Sequence, residues 1–345
     1  MTKIAIIGSE QSGRTTLASK LGKKGETADV TMYDFAKSGR ILTTIDANGY
    51  PKAIKPLITA LNLSDIALLC IPPTGLDVSA GECIVALDLS GYKHGIIVLT
   101  KSDMSYPHAI DELKSNIKKI TIGTALENWE YISISTTSFE GMEELKEMIF
   151  SIGDTVDKEL AQLNELPKRV VIDQFFNVTG IGCVVLGVVS QGTINAKDKT
   201  GMFPPNKNIE IRSIQLHDVD AKSAPTGSRV GLALKNIQSK ELERGFVISD
   251  AEEVADGLTL ECTLSQFSKG FAVGDMLHIF TGLQSAPMRV ENITIDGSDT
   301  DTAAPASTCV VSLSGTKEIA YSKTDRFVLA NLDEKQRFTG YGSCQ

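Results

Sequence analysis

The sequence predicts a multi-domain protein: an α/β domain with a parallel-type sheet over residues 1–153, a linker at 154–168, and two antiparallel β-barrels over 169–250 and 251–345. Three observations predict this. Up to about residue 152, short β-rich apolar runs alternate with helix-spaced apolar positions, the pattern of a sheet covered by helices on both faces. A polar, charged stretch with Pro167 near its end follows, read as a connecting helix or linker. Beyond it the helical period vanishes, and valine- and isoleucine-rich runs recur between Gly, Asn, Asp and Pro turns.

In the first domain, Ile4–Ile7, Ile41–Ile45, Ile66–Ile71, Ile96–Leu99 and Tyr131–Ser135 read as strands rich in branched side chains. Ile110, Leu113 and Ile117 keep helix spacing, as do Met142, Leu145, Met148, Ile149 and Ile152, with acidic residues where that last helix begins. The first barrel is expected from Val170–Phe176, Cys183–Val189, Ile209–Leu216 and Arg229–Leu234. The second is expected from Leu258–Leu264, Met276–Phe280, Met288–Ile295, Thr308–Leu313 and Arg326–Leu332, with the acidic stretch Asp250–Asp256 as the joint.

Composition narrows the class. At 345 residues there is room for two or three cores, and 42% hydrophobic with 22% charged residues is ordinary globular usage. No apolar run approaches the ~20 residues of a spanning helix, so no membrane association is expected. The N-terminus passes from a short apolar strand into a polar glycine loop, unlike a signal peptide. Six scattered cysteines without a CxxC pair suit buried, reduced thiols in a cytoplasmic protein. The net charge of −9 is uneven: acidic residues lead by six over 1–165 and by six over 251–345, whereas basic residues lead by three over 166–250. That middle excess suits either a local anionic contact or a solvated basic face.

Chemistry concentrates in four loops. Gly8-Ser9-Glu10-Gln11-Ser12-Gly13-Arg14-Thr15 has the spacing GxxxxG[KR][ST] between a strand and a helix. Its glycines let the backbone wrap a phosphate at the positive end of the next helix. A glycine turn capping a helix is the alternative for this stretch alone. Gly8, Ser12, Gly13, Arg14, Thr15 and Thr16 are the phosphate-binding candidates, with the Thr15 hydroxyl a Mg²⁺ ligand. Arg14 stands where a compact lysine normally reaches the terminal phosphates. Asp46-Ala47-Asn48-Gly49 matches DxxG, in which the aspartate holds Mg²⁺ through water and the Gly49 N–H senses the γ-phosphate. Thr100-Lys101-Ser102-Asp103 resembles NKxD, so that Asp103 pairs with the guanine edge, Lys101 packs over the ring and Thr100 replaces asparagine. Ser135 and Thr136 fall where a base-contacting serine loop belongs. Each loop follows a strand, as ligand loops of open α/β sheets do. The expected cofactors are GTP/GDP and Mg²⁺.

The stretch Thr43–Ile71 resembles the DxPGH region of translational GTPases of the elongation factor Tu/SelB family. Asp173–Gly192 resembles the first hairpin of domain 2 in those factors, and Gly227–Ser249 the strands that close that barrel. Val273-Gly274-Asp275 and Thr324–Leu329 resemble parts of domain 3. The resemblance runs over nearly the whole chain. Within the family it is nearest to the SelB-like factors of pyrrolysine-using methanogenic archaea, without the SelB mRNA-binding domain.

The resemblance implies a GTPase whose catalytic histidine is replaced by Tyr50, a phenol that cannot act as imidazole does at neutral pH. Thr27, in Gly25-Glu26-Thr27, falls at the switch threonine that closes on Mg²⁺, or is a turn threonine; the switch segment before it is short. The implied partners are aminoacyl-tRNA and the ribosome, with the protein a monomer. Lys197, Lys199, Lys207, Arg212 and Lys235 are the tRNA-binding candidates on the first barrel. The leading expectation is an elongation factor-like GTP-binding protein that delivers aminoacyl-tRNA, with slow or partner-dependent hydrolysis. The alternatives are a degenerate GTPase acting as a nucleotide-independent RNA- or ribosome-binding module, and an initiation-factor γ subunit.

Overall fold

The structure is a computed structural model that describes residues 2–37 and 40–344, apart from the side chains of Glu26 and Lys37. The chain divides into two compact units, residues 1–157 with 336–338, and residues 158–335 with 339–345.

The first unit is built on seven strands: β1 (Thr2–Gly8), β2 (Lys23–Thr27), β3 (Thr31–Lys37), β4 (Arg40–Asp46), β5 (Ile66–Ile71), β6 (Gly95–Leu99) and β7 (Glu130–Ser133). The order across the sheet is β2-β3-β4-β1-β5-β6-β7. β4, β1, β5, β6 and β7 run parallel. Every residue of β1 and of β5 is buried, which is why these strands read as continuous apolar runs rather than alternating ones. Helices α1 (Arg14–Leu21), α2 (Lys55–Asn62), α3 (Val78–Leu89), α4 (Pro107–Thr121) and α5 (Met142–Ala161) connect or follow them. Fully buried Leu17, Leu57 and Ile117 each add roughly 1.5–3 kcal/mol of apolar burial.

The parallel-type sheet expected from the sequence is present and carries an antiparallel edge: β3 runs antiparallel to β4, and β2 antiparallel to β3. The short segment around Thr27 thus forms a hairpin at the sheet edge. β2 carries little apolar pattern, because an edge position tolerates polar, exposed residues such as Lys23 and Lys24. The polar stretch after residue 153, expected to be a connecting helix or linker, is largely helical. α5 continues to Ala161, and a 3₁₀ turn follows at Gln162–Glu165.

The second unit holds two closed six-stranded antiparallel barrels. The first runs Lys199–Phe203, Val247–Ser249, Arg169–Val178, Gly182–Gln191, Arg229–Lys235 and Lys207–Leu216, the last pairing back onto the first. Alternate residues face inward, so Val170, Ile172, Val185, Ile211 and Leu232 form its core. The second runs Met276–Thr281, Arg326–Ala330, Phe338–Cys344, Glu253–Leu264, Thr308–Tyr321 and Gln284–Ile295, again closed end to end. Leu260, Leu277, Met288, Val311 and Phe327 fill it. The acidic joint proves to be partly strand, since Glu253–Leu264 begins inside it. Arg169 gathers its charge, 2.9 Å from Glu252 and 2.5 Å from Asp325.

All six cysteines are free thiols; Cys70, Cys83, Cys183, Cys262 and Cys309 are buried and Cys344 half-buried. Among the described residues no helix is long and apolar enough to cross a membrane.

Candidate nucleotide site

The four loops expected to carry chemistry all leave the C-terminal ends of the parallel strands β1, β4, β6 and β7. The first loop bends because its residues permit it. Gly8 has φ 151°, and a Cβ there would lie 2.5 Å from the Cys70 carbonyl and 2.6 Å from Ser12 Oγ, so only glycine fits. Gly13 has φ 87° and caps α1, with no side-chain cap beside it. Thr15 and Thr16 on the first turn of α1 are exposed. A cavity of about 370 Å³ opens beside the loop, lined among others by Ser9, Glu10, Gln11, Thr74 and Lys101.

The second and third loops are tied to the first. The Thr100 hydroxyl donates to the Ser12 carbonyl at 2.6 Å, joining the base loop to the phosphate loop across 88 residues of sequence. A threonine therefore supplies the tether at the asparagine position. Lys101 takes φ 55° and starts a 3₁₀ turn, Ser102–Met104, on which Asp103 is exposed. In the fourth loop the buried Ser135 hydroxyl accepts from the Thr137 and Ser138 amides, both at 3.1 Å, which shapes the turn around half-buried Thr136.

Asp46 is fully buried at the end of β4 and accepts from the Thr15 hydroxyl at 2.6 Å. Burial raises its carboxyl above the ordinary aspartate value, against the opposing pull of Thr15 and then Arg14. Its second oxygen, Oδ1, and Ser12 Oγ are buried without a hydrogen-bond partner. Arg14 is turned into the protein and is only 8% exposed. Its Nη1 donates to the Gly8 carbonyl and its Nη2 to the Tyr50 carbonyl, both at 2.5 Å, and its Nε lies 3.3 Å from Asp46 Oδ1. A guanidinium whose two terminal nitrogens are bonded to backbone carbonyls does not reach a phosphate from this position. The oxygen pair of Thr15 and Asp46 is the donor chemistry a hard cation takes, and the orphaned Oδ1 fits the same purpose. These residues therefore fit Mg²⁺. No cluster of three or more His, Cys, Asp or Glu occurs among the described residues, so any ion here would take part of its shell from ligand or water.

The Gly49 amide donates to the Asp29 carbonyl at 3.3 Å, so the group expected to sense a γ-phosphate is already occupied. Thr27 lies exposed on β2, its hydroxyl accepting weakly from Thr31 at 3.4 Å; the side chain of the neighbouring Glu26 lies outside the described residues. Tyr50 is buried, with its hydroxyl 2.9 Å from Glu82 Oε2 and 2.6 Å from the Ser79 carbonyl. Burial, then Cys83 and Glu82, pushes its phenol far above the ordinary tyrosine value, so it stays neutral. Within the same unit, Arg337 clamps Glu82 through Nε at 2.8 Å and Nη2 at 2.5 Å.

Sequence reading missed Asp29, Glu82 and Arg337. Glu82 alone carried a signal, an acid amid the apolar positions of the helix Val78–Leu89 that is 3% exposed. Of the five basic barrel candidates, Lys207 pairs with Glu241 and Lys235 with Glu210. Arg212 donates to the Ile181 carbonyl, and Lys197 and Lys199 are exposed.

No family model matches the sequence. The chain is 31% identical over 329 residues to the uncharacterized protein MJ0325 of Methanocaldococcus jannaschii, spanning 94% of this chain and 95% of that one. It is 27% identical over 310 residues to the selenocysteine-specific elongation factor of the same organism, of which it spans 65%. Elongation factor 1-alpha of Metallosphaera sedula matches at 26% over 297 residues, spanning 79% of this chain and 68% of its own length. In fold, the translation elongation factor SelB from Methanococcus maripaludis, solved with the GTP analogue GppNHp, matches with a TM-score of 0.85 at 23% identity. That match covers 100% of this chain and 78% of the other.

Proposed function

Because this chain belongs to the family of elongation-factor-like GTPases that includes protein MJ0325, we propose that it binds guanine nucleotide and delivers aminoacyl-tRNA to the ribosome, with slow or partner-dependent GTP hydrolysis. The observation that carries the nucleotide reading is the Thr100–Ser12 hydrogen bond. It ties the base-reading loop to the phosphate loop although both depart from the usual residues at 14 and 100. In this reading Asp103 pairs with guanine, Lys101 covers the ring, Ser135 and Thr136 frame the base, and the amides around Gly13 take the phosphates. Thr15 and Asp46 would hold Mg²⁺, whose charge supports the phosphates when bound. The exposed Lys197, Lys199 and Arg212 are the barrel residues best placed for an RNA backbone, and the cytoplasm is the compartment such a factor requires. Kinship to the SelB-like factors of pyrrolysine-using methanogens is the finer part of the same proposal.

Slow hydrolysis follows from Tyr50. Its hydroxyl is spent on Glu82 and the Ser79 carbonyl, and a neutral buried phenol neither orients nor deprotonates a water. A second reading, a nucleotide-independent RNA- or ribosome-binding module, is favoured by the inward Arg14 and the occupied Gly49 amide. Calorimetric titration with GTP, GDP and ATP in Mg²⁺ separates the two. Guanine-selective binding at micromolar affinity or tighter supports the first, and no binding by any nucleotide leaves the second.

A further inference from the structure

Positive charge beside Asp46 is already present in this chain. The Arg14 guanidinium sits 3.3 Å from Asp46 Oδ1 and is fixed there by two backbone carbonyls, those of Gly8 and Tyr50. Gly8 ends β1 and Tyr50 directly follows the DxxG stretch, so the guanidinium joins the two loops that a metal-bound nucleotide would bridge. The arrangement is specific to arginine. A fork with separated nitrogens spans two carbonyls in fixed directions while keeping its charge beside the carboxylate, whereas an ammonium gathers its donors at one point on a mobile stem.

We propose that Arg14 is the resident counter-cation of this site, so that guanine nucleotide binds here without dependence on Mg²⁺. The inference rests on the reading of these loops as a nucleotide site. Thr15 and Asp46 fit the ion, but its electrostatic task beside Asp46 is done by a side chain that two backbone carbonyls hold in position. A divalent ion entering next to that guanidinium meets repulsion, and displacing the guanidinium would strip two buried carbonyls of their donors. Binding the ion therefore adds little to nucleotide affinity. Replacing the fork by an ammonium frees at least one of the two carbonyls, opens Asp46 to the ion and restores the ion's usual contribution to nucleotide affinity.

The test is a titration of the full chain with fluorescently labelled GDP, in excess Mg²⁺ and in excess EDTA, for the wild type and for Arg14→Lys. The wild-type dissociation constant should change by less than about threefold on chelation, and that of Arg14→Lys should weaken by about tenfold or more. A wild type that weakens by about tenfold in EDTA overturns the inference while leaving the nucleotide reading standing. An Arg14→Lys variant that folds, by circular dichroism, and is as indifferent to chelation as the wild type also overturns it. No binding by the wild type in either buffer overturns both readings together. Should Arg14→Lys fail to fold, the wild-type pair of titrations still decides.

Discussion

The Tyr50 hydroxyl lies 2.9 Å from the Glu82 carboxylate and 2.6 Å from the Ser79 carbonyl, with all of the tyrosine and most of the glutamate out of solvent. One phenolic proton is thus shared between two acceptors on the first turns of α3. The hydroxyl is held by that helix, the Arg14 guanidinium lies over the ring, 5.8 Å from its centroid, and the backbone carbonyl of the same residue also receives Arg14. Removing the hydroxyl strips both acceptors of a donor, although Glu82 keeps Arg337. Tyr50→Phe should lower unfolding free energy by about 1–3 kcal/mol, read from urea denaturation. A loss below about 0.5 kcal/mol would mean that the hydrogen bonds contribute nothing net.

Asp103 stands exposed on its 3₁₀ turn, where a carboxylate can accept from the paired N–H groups of a guanine edge. Asp103→Asn exchanges one acceptor for a donor and matches xanthine instead. The ratio of GDP to xanthosine diphosphate affinity should fall by about tenfold or more, measured by competition. An unchanged ratio would remove Asp103 from the base site.

The bond from the Gly49 amide to the Asp29 carbonyl has to open before that amide can receive a γ-phosphate. GDP makes no such demand. The chain should therefore bind GDP at least as tightly as a non-hydrolysable GTP analogue, by about 1 kcal/mol or roughly fivefold, the net value of one hydrogen bond. A tenfold preference for the triphosphate in calorimetry would show that the Asp29 contact does not oppose it.

His278, half-buried on the strand Met276–Thr281, is held below the ordinary histidine value by burial, which Asp333 only partly offsets. The unfolded chain then binds the proton more readily than the folded one, so stability falls as pH drops through 6.5 toward the folded value. His278→Asn should flatten that fall. Unfolding free energies of the two proteins across this window should diverge with acidification, and parallel curves would refute the assignment.

The sequence disclosed the parallel strands and the loops that follow them because a doubly covered sheet demands unbroken branched runs, as in Ile66–Ile71. Motif spacing did the same for Gly13, Asp46, Asp103 and Ser135, whose positions depend on strand ends close by in the chain. Lys23–Thr27, the outer strand of the hairpin, stayed hidden because an edge strand carries little apolar pattern. The direction of Arg14 was equally illegible, since it depends on two carbonyls and on Asp46, all fixed by tertiary packing. Arg337 lies 255 residues from Glu82, too far for any local signal.

Burial of the thiols turns alkylation into a clock for structural opening. Cys83, inside the first unit, is pushed up to about 12 by burial, and Cys70 higher still, so neither presents a thiolate while the fold is closed. Cys262 and Cys309 report in the same way from the second barrel, where Cys309 is pushed up to about 11. Labelling followed by mass spectrometry would then time the opening of each unit separately, with the chain's own cysteines as the probes.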